Sequence, residues 1–182
     1  MRTWTAALLV ALPGCVVTND VQFEPPANFP PSIASAPAAD HPIGELVLLT
    51  GVTAGGGDAG GAPDVRFDVV VLDPDVSQTL QYKVYLDYDP MAFPPTGPVV
   101  SESLAPMTSG DRTRRAVSFI IPSNRLLPEQ QNGCHRVELL VSSRFQSDRR
   151  DPVEPGDVAI ATWIVGSRIN EDDDVALFDD CR

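Results

Sequence analysis

The chain is 182 residues long and carries 13 basic against 25 acidic side chains, a net charge of −12, with 18 prolines and three cysteines. That length holds one domain with a real hydrophobic core, not two. The acidity excludes a nucleic-acid partner, because phosphates need a basic surface. An apolar content of 43% argues against wholesale disorder. Basicity is almost all arginine, and Lys83 is the sole lysine.

Met1-Arg2-Thr3 supplies one positive charge, and residues 4–12 then run apolar. A hydrocarbon core of ~30 Å takes roughly 20 helical residues to cross, so this run is too short to span and instead matches the apolar region of a secretory signal. No later segment is long and apolar enough for a transmembrane helix. Leu12-Pro13-Gly14-Cys15 follows and resembles the lipobox of bacterial lipoproteins, with Pro13 where Ala, Ser or Thr is commoner. The resemblance implies removal of residues 1–14 as a signal peptide, diacylation of the Cys15 thiol with palmitate-like chains, and acylation of the new amino terminus. Each buried methylene contributes ~0.8 kcal/mol, and two or three chains anchor stably where one is marginal. Val16, rather than Asp, implies outer-membrane over inner-membrane residence. The alternative is an ordinary secretory leader with a chance cysteine.

Residues 15–42 hold six prolines, no glycine and no apolar periodicity. Such a composition favours polyproline II, a semi-rigid tether of ~3.1 Å per residue. A second reading has residues 28–33 packing along the domain edge as a first strand, and both can hold of different parts. The folded domain is expected over 43–182.

Within it, strand signals arrive at short intervals. Residues 45–53 are β-rich. Residues 65–72 alternate, with Val65, Phe67, Val69 and Val71 on one face. Residues 80–87 place Leu80, Tyr82, Val84 and Leu86 opposite Gln81, Lys83, Tyr85 and Asp87. Residues 99–104 are a candidate edge strand, 116–121 and 136–142 alternate again, and 158–165 read as buried around Trp163. Period 2 dominates, and Pro- or Gly-rich turns separate the runs. About seven short antiparallel strands make an all-β sandwich the expected fold. The stretch 67–88, FDVVVLDPDVSQTLQYKVYLDY, is similar to the second and third strands of immunoglobulin-like and fibronectin type III-like domains. The cysteine pair of antibody cores is absent.

With Cys15 lipidated, Cys134 and Cys181 remain in an oxidising compartment, where pairing is the default. In the expected topology, the strand over 136–142 starts where the strand over 158–165 ends, so the two cysteines fall at one end. Two free thiols are the alternative. Metal binding by Cys134-His135 is disfavoured, because adjacent strand residues point to opposite faces.

No nucleophile–base arrangement stands out, and His41 and His135 are the only histidines. The glycine run 55–61 lacks the Gly-Lys-Ser/Thr of a phosphate cradle and reads as a flexible turn. No catalytic residue is assigned and no resident cofactor is expected. One acidic constellation suits calcium: Asp73 and Asp75 in one loop, with Asp148 and Asp151 in another at the same end. Arg149 and Arg150 among them make ordinary ion-paired turns the competing reading. In the loop 88–98, Tyr88, Met91 and Phe93 offer apolar contact for a partner. Together these readings describe a lipid-anchored cell-envelope protein with a non-catalytic structural or interaction role. Its partners would be the membrane, envelope proteins or polysaccharide, and a calcium-dependent adhesion or carbohydrate-binding module is the alternative.

Overall fold

A computed structural model describes residues 29–49, 64–92, 96–108, 110–111, 113–126, 133–147 and 149–167. The expected signal peptide over residues 1–14, Cys15, Phe93, Asp148, Cys181 and the acidic tail lie outside these residues.

The clearest period-2 run forms β3 (Val65–Leu72), which sends Val65, Phe67, Val69 and Val71 into the core. Antiparallel to it lies β6 (Arg114–Ile121), in register from Val65 opposite Ile121 to Leu72 opposite Arg114. On the other side β1 (Ser32–Ser35) pairs antiparallel, from Ser32 opposite Leu72 to Ser35 opposite Val69. These make a three-stranded sheet, β1-β3-β6.

The facing sheet has the order β2-β8-β7-β4-β5. Its centre is β7 (Gly133–Ser142), flanked by β4 (Leu80–Leu86) and β8 (Ala159–Ser167), both antiparallel to it. The edges are β5 (Val100–Leu104), antiparallel to β4, and β2 (Leu46–Leu49), parallel to β8. One helical turn, α1 (Ser123–Leu126), interrupts the strands and buries Leu126. Two sheets with this strand order make an immunoglobulin-like β-sandwich.

The core sits between the sheets around Trp163, whose ring centroid lies 5.0 Å from that of Phe67 and 5.8 Å from that of Phe119. Such rings each bury about 150–250 Å² and dominate core energetics. The indole N–H also needs an acceptor when buried, and it donates to the His41 carbonyl at 3.0 Å.

That hydrogen bond bears on where the domain begins. Residues 32–35 are a strand of the sandwich, Ile33 packs against its core, and the His41 ring lies 5.7 Å from Phe67. Among the described residues the sandwich therefore includes β1, upstream of residue 43, and the edge-strand reading of residues 28–33 meets it at Ser32 and Ile33. The chain then crosses from one sheet to the other. Ser35 Oγ accepts from the Ile43 N–H at 2.9 Å, and Gly44 turns at φ +85° before β2.

Cys134 lies near the start of β7, opposite Gly166 near the end of β8. It is disulfide-bonded, and its partner lies outside the described residues. The strand ends thus adjoin at one end of the sandwich, as the sequence reading expects.

Candidate cleft on the five-stranded sheet

The residues between β7 and β8 fold back over the outer face of the five-stranded sheet. Phe145 and Pro152 form an isolated bridge, and Gln146 N–H donates to Asp151 O at 2.9 Å, making a small hairpin. Phe145 is buried against Tyr85 and Leu140 in a second apolar cluster, separate from the main core. Lys83 is 5% exposed and lies under this hairpin. Its Nζ donates to the carbonyls of Ser147 at 2.8 Å and Arg149 at 2.9 Å, and sits 4.9 Å from the Phe145 ring centroid. An ammonium there meets hydrogen-bond acceptors and a ring face, which is what makes its burial affordable.

The root of the excursion is fixed by Asp157, also buried. Its Oδ2 accepts from Ser142 Oγ at 3.1 Å, from the Ser143 N–H at 3.0 Å and from the Ser143 hydroxyl. Gly156 takes φ +87° just before it, a conformation that favours glycine.

The hairpin carries Arg150 across the sheet. Its Nη2 donates to Glu138 Oε1 at 2.8 Å, and its guanidinium lies 4.7 Å from the Tyr88 ring centroid and 5.9 Å from that of Tyr85. Tyr85 and Tyr88 meet edge to face at 5.2 Å. The planar, forked guanidinium suits pairing with a carboxylate while packing against rings, a flat geometry that an ammonium lacks.

The loop after β4 forms the opposite wall. Asp87 takes φ +48°, and its Oδ1 accepts from the Arg136 N–H at 2.7 Å. Its Oδ2 lies 2.6 Å from His135 Nδ1. Arg136 Nη2 donates to the Tyr88 carbonyl at 2.9 Å. Burial raises the Asp87 pKa, but the His135 and Arg136 hydrogen bonds and their charges outweigh it and hold the carboxyl below its ordinary value. Between the two walls is a cleft of ≈ 390 Å³ lined by Tyr85, Tyr88, Pro90, Thr96, Arg149, Arg150 and Asp151.

The residues singled out from sequence divide accordingly. Tyr88 lines the cleft, Met91 stands beside it 88% exposed, and Phe93 lies outside the described residues. Of the four aspartates of the calcium reading, Asp148 lies outside the described residues, and Asp73, Asp75 and Asp151 form no group placed to hold a metal ion. Asp73 is fully buried, its Oδ2 accepting from Arg115 Nη2 at 2.8 Å and its Oδ1 from the Asp75 N–H at 2.9 Å. Asp75 Oδ1 accepts from the Ser77 N–H and hydroxyl. Asp151 belongs to the cleft wall, and no group of three His, Cys, Asp or Glu among the described residues is placed to hold a metal ion. Sequence reasoning missed the Arg150–Glu138 pair and the bonds of Lys83 to the Ser147 and Arg149 carbonyls, which form only through the fold.

No family model matches the sequence, and no curated protein matches it. Among solved structures, the chain is similar to the CARDB domain of a Pyrococcus furiosus protein. Its solution NMR structure gives a TM-score of 0.37 at 13% identity, covering 78% of this chain and 94% of that one. A crystal structure of that domain in complex with di-metal ions gives a TM-score of 0.38 at 11% identity, covering 75% of this chain and 90% of that one.

Proposed function

We propose that this chain is a lipid-anchored cell-envelope protein whose immunoglobulin-like sandwich acts without catalysis, as a structural or protein-interaction module. The anchor is Cys15, and Val16 favours the outer membrane by resemblance to sorted lipoproteins. The partner-binding face is the cleft between the 144–153 hairpin and the loop after β4.

The observation that carries this reading is the arrangement of Arg150, Tyr88 and Glu138. A cation stacked on a ring at 4.7 Å and paired with a carboxylate at 2.8 Å is pre-organised, so little ordering remains to oppose binding. Around it stand exposed Pro90, Met91, Thr96 and Arg149. Aromatic, methionine and arginine side chains are the types enriched in interface cores.

The test is site-specific photo-crosslinking in intact envelopes. A photoreactive residue at Met91 should give a discrete adduct that Arg149→Glu abolishes. The same residue at Arg66, on the opposite sheet, should give none. Equal yields from both positions, or no adduct at Met91, would refute the assignment of this face.

A further inference from the structure

The polar groups around the cleft on the five-stranded sheet divide into those already engaged and those left over. Arg150 is held by Glu138 and Tyr88. The wall carbonyls are engaged as well. Tyr88 O accepts from Arg136 Nη2, Ser147 O and Arg149 O from Lys83 Nζ, Asp151 O from the Gln146 N–H, and Pro152 O from Gln146 Nε2. What remains is side-chain chemistry. The Arg149 guanidinium, the Asp151 carboxylate and the hydroxyls of Tyr88 and Thr96 belong to the cleft lining, and among the described residues none of these four groups makes a hydrogen bond or ion pair.

We propose that the cleft takes a short neutral saccharide. The inference rests on the reading of this cleft as the binding face and names what that face binds. A guanidinium only donates and a carboxylate only accepts, whereas a sugar hydroxyl does both, so neighbouring hydroxyls of one ring satisfy Arg149 and Asp151 together. Pro90 and the rings of Tyr85 and Tyr88 supply apolar surface for the C–H faces of the sugar. A volume of ≈ 390 Å³ lies at the lower end of the roughly 300–1,000 Å³ of small-molecule sites, which suits a saccharide better than a helix. Charge selects a neutral one. Arg149 and Arg150 are balanced by Asp151 and Glu138, and the chain as a whole carries −12, which repels an anionic polymer. An extended peptide fits less well, because strand addition draws on free backbone groups and these wall carbonyls are engaged.

The experiment uses the full chain in detergent and saturation-transfer NMR, with cellobiose, maltose and chitobiose as neutral probes and glucuronic acid as the charged one. At least one neutral disaccharide should show saturable transfer and bind more tightly than glucuronic acid. Arg149→Gln and Asp151→Asn should each weaken that binding roughly tenfold, the effect of losing one hydrogen bond to a charged group. Arg66→Gln, on the opposite sheet, should bind as the parent does. Both cleft variants should keep the parent's urea midpoint, because neither side chain is bonded to another described residue. No saturable transfer from any neutral probe, undiminished affinity in both cleft variants, or tighter binding of glucuronic acid would overturn the proposal. Crosslinking from Met91 separates its failure from that of the binding face. A polypeptide adduct that saturating disaccharide leaves undiminished overturns the saccharide and keeps the face, whereas no adduct and no transfer removes both.

Discussion

Arg115 reaches Asp73 across 2.8 Å in a site where neither residue has appreciable contact with solvent. The same guanidinium donates to the Leu104 carbonyl at 3.3 Å and to the Asp75 carbonyl at 3.3 Å. One side chain on β6 thus joins the three-stranded sheet to β5 and to the loop after β3, on the flank where β5 and β6 are edge strands. Removing one member of a buried ion pair leaves an uncompensated charge, which costs about 3–5 kcal/mol. Arg115→Leu and Asp73→Leu should each lower stability by about that much in urea unfolding, and the double substitution should recover most of it. Additive losses would mean that the two residues act separately.

The hairpin over the sheet depends on Lys83. Hydrogen bonds to a charged group are worth about 1.5–3 kcal/mol. Lys83→Met keeps the apolar stem and removes the ammonium, so it should cost about 2–3 kcal/mol and speed trypsin cleavage at Arg149 and Arg150. Unchanged cleavage would show that Phe145 alone holds the hairpin.

The loop carrying Tyr88 should loosen on acidification. Asp87 is ionised below the ordinary carboxylate range in the folded chain, because its bonds to His135 and Arg136 outweigh its burial. A lowered acid pKa contributes stability above the unfolded value, and that contribution is lost as pH falls through the folded one. The Asp87 side chain is 46% exposed, so solvent screening keeps the effect modest. Asp87→Asn tolerates the left-handed backbone and isolates the charge. The variant should be the less stable protein at neutral pH and converge with the parent in acid. A constant gap across that range would exclude the linkage.

Cys15→Ala should release the protein from membranes into the soluble fraction, because the substitution removes the thiol that would carry the acyl chains. Persistence in the membrane fraction would remove the lipid-anchor reading. With Cys181 as the expected partner of Cys134, the bridge should stabilise the chain by about 4 kcal/mol through loop closure, read as the difference between oxidised and reduced melts. Two alkylatable thiols in the oxidised protein would refute it.

Calcium should leave the melting curve unchanged relative to chelator, since Asp73 is committed to Arg115 and Asp151 lies on the cleft wall. A ligand at one hundred times its Kd would add about 2.7 kcal/mol, well within detection.

The long strands were legible because each half-buried antiparallel strand writes its inward face every second residue. Val65, Phe67, Val69 and Val71 on β3 and Val137, Leu139 and Val141 on β7 all enter the core that their alternation predicts. β1 stayed ambiguous because Ser-Ile-Ala-Ser has no such contrast and follows prolines. Arg115 was missed because a charge stands at an inward position of β6 and is satisfied by residues far away in sequence. Alternation put Lys83 and Tyr85 on the face away from the core, correctly. It carries no information on what covers that face, so the second cluster and the Arg150–Tyr88 contact emerge only from the fold.

The burial of Lys83 gives the molecule a built-in reporter. It carries the chain's one ε-amine, and acylation would consume the amino terminus of a mature lipoprotein. Amine-directed labels would then modify this protein only when the hairpin lifts, at a rate that tracks opening. Chemistries that biotinylate or fix envelope proteins through lysine would pass over the closed form, so its surface neighbours are better sought through carboxylates, which it has in excess.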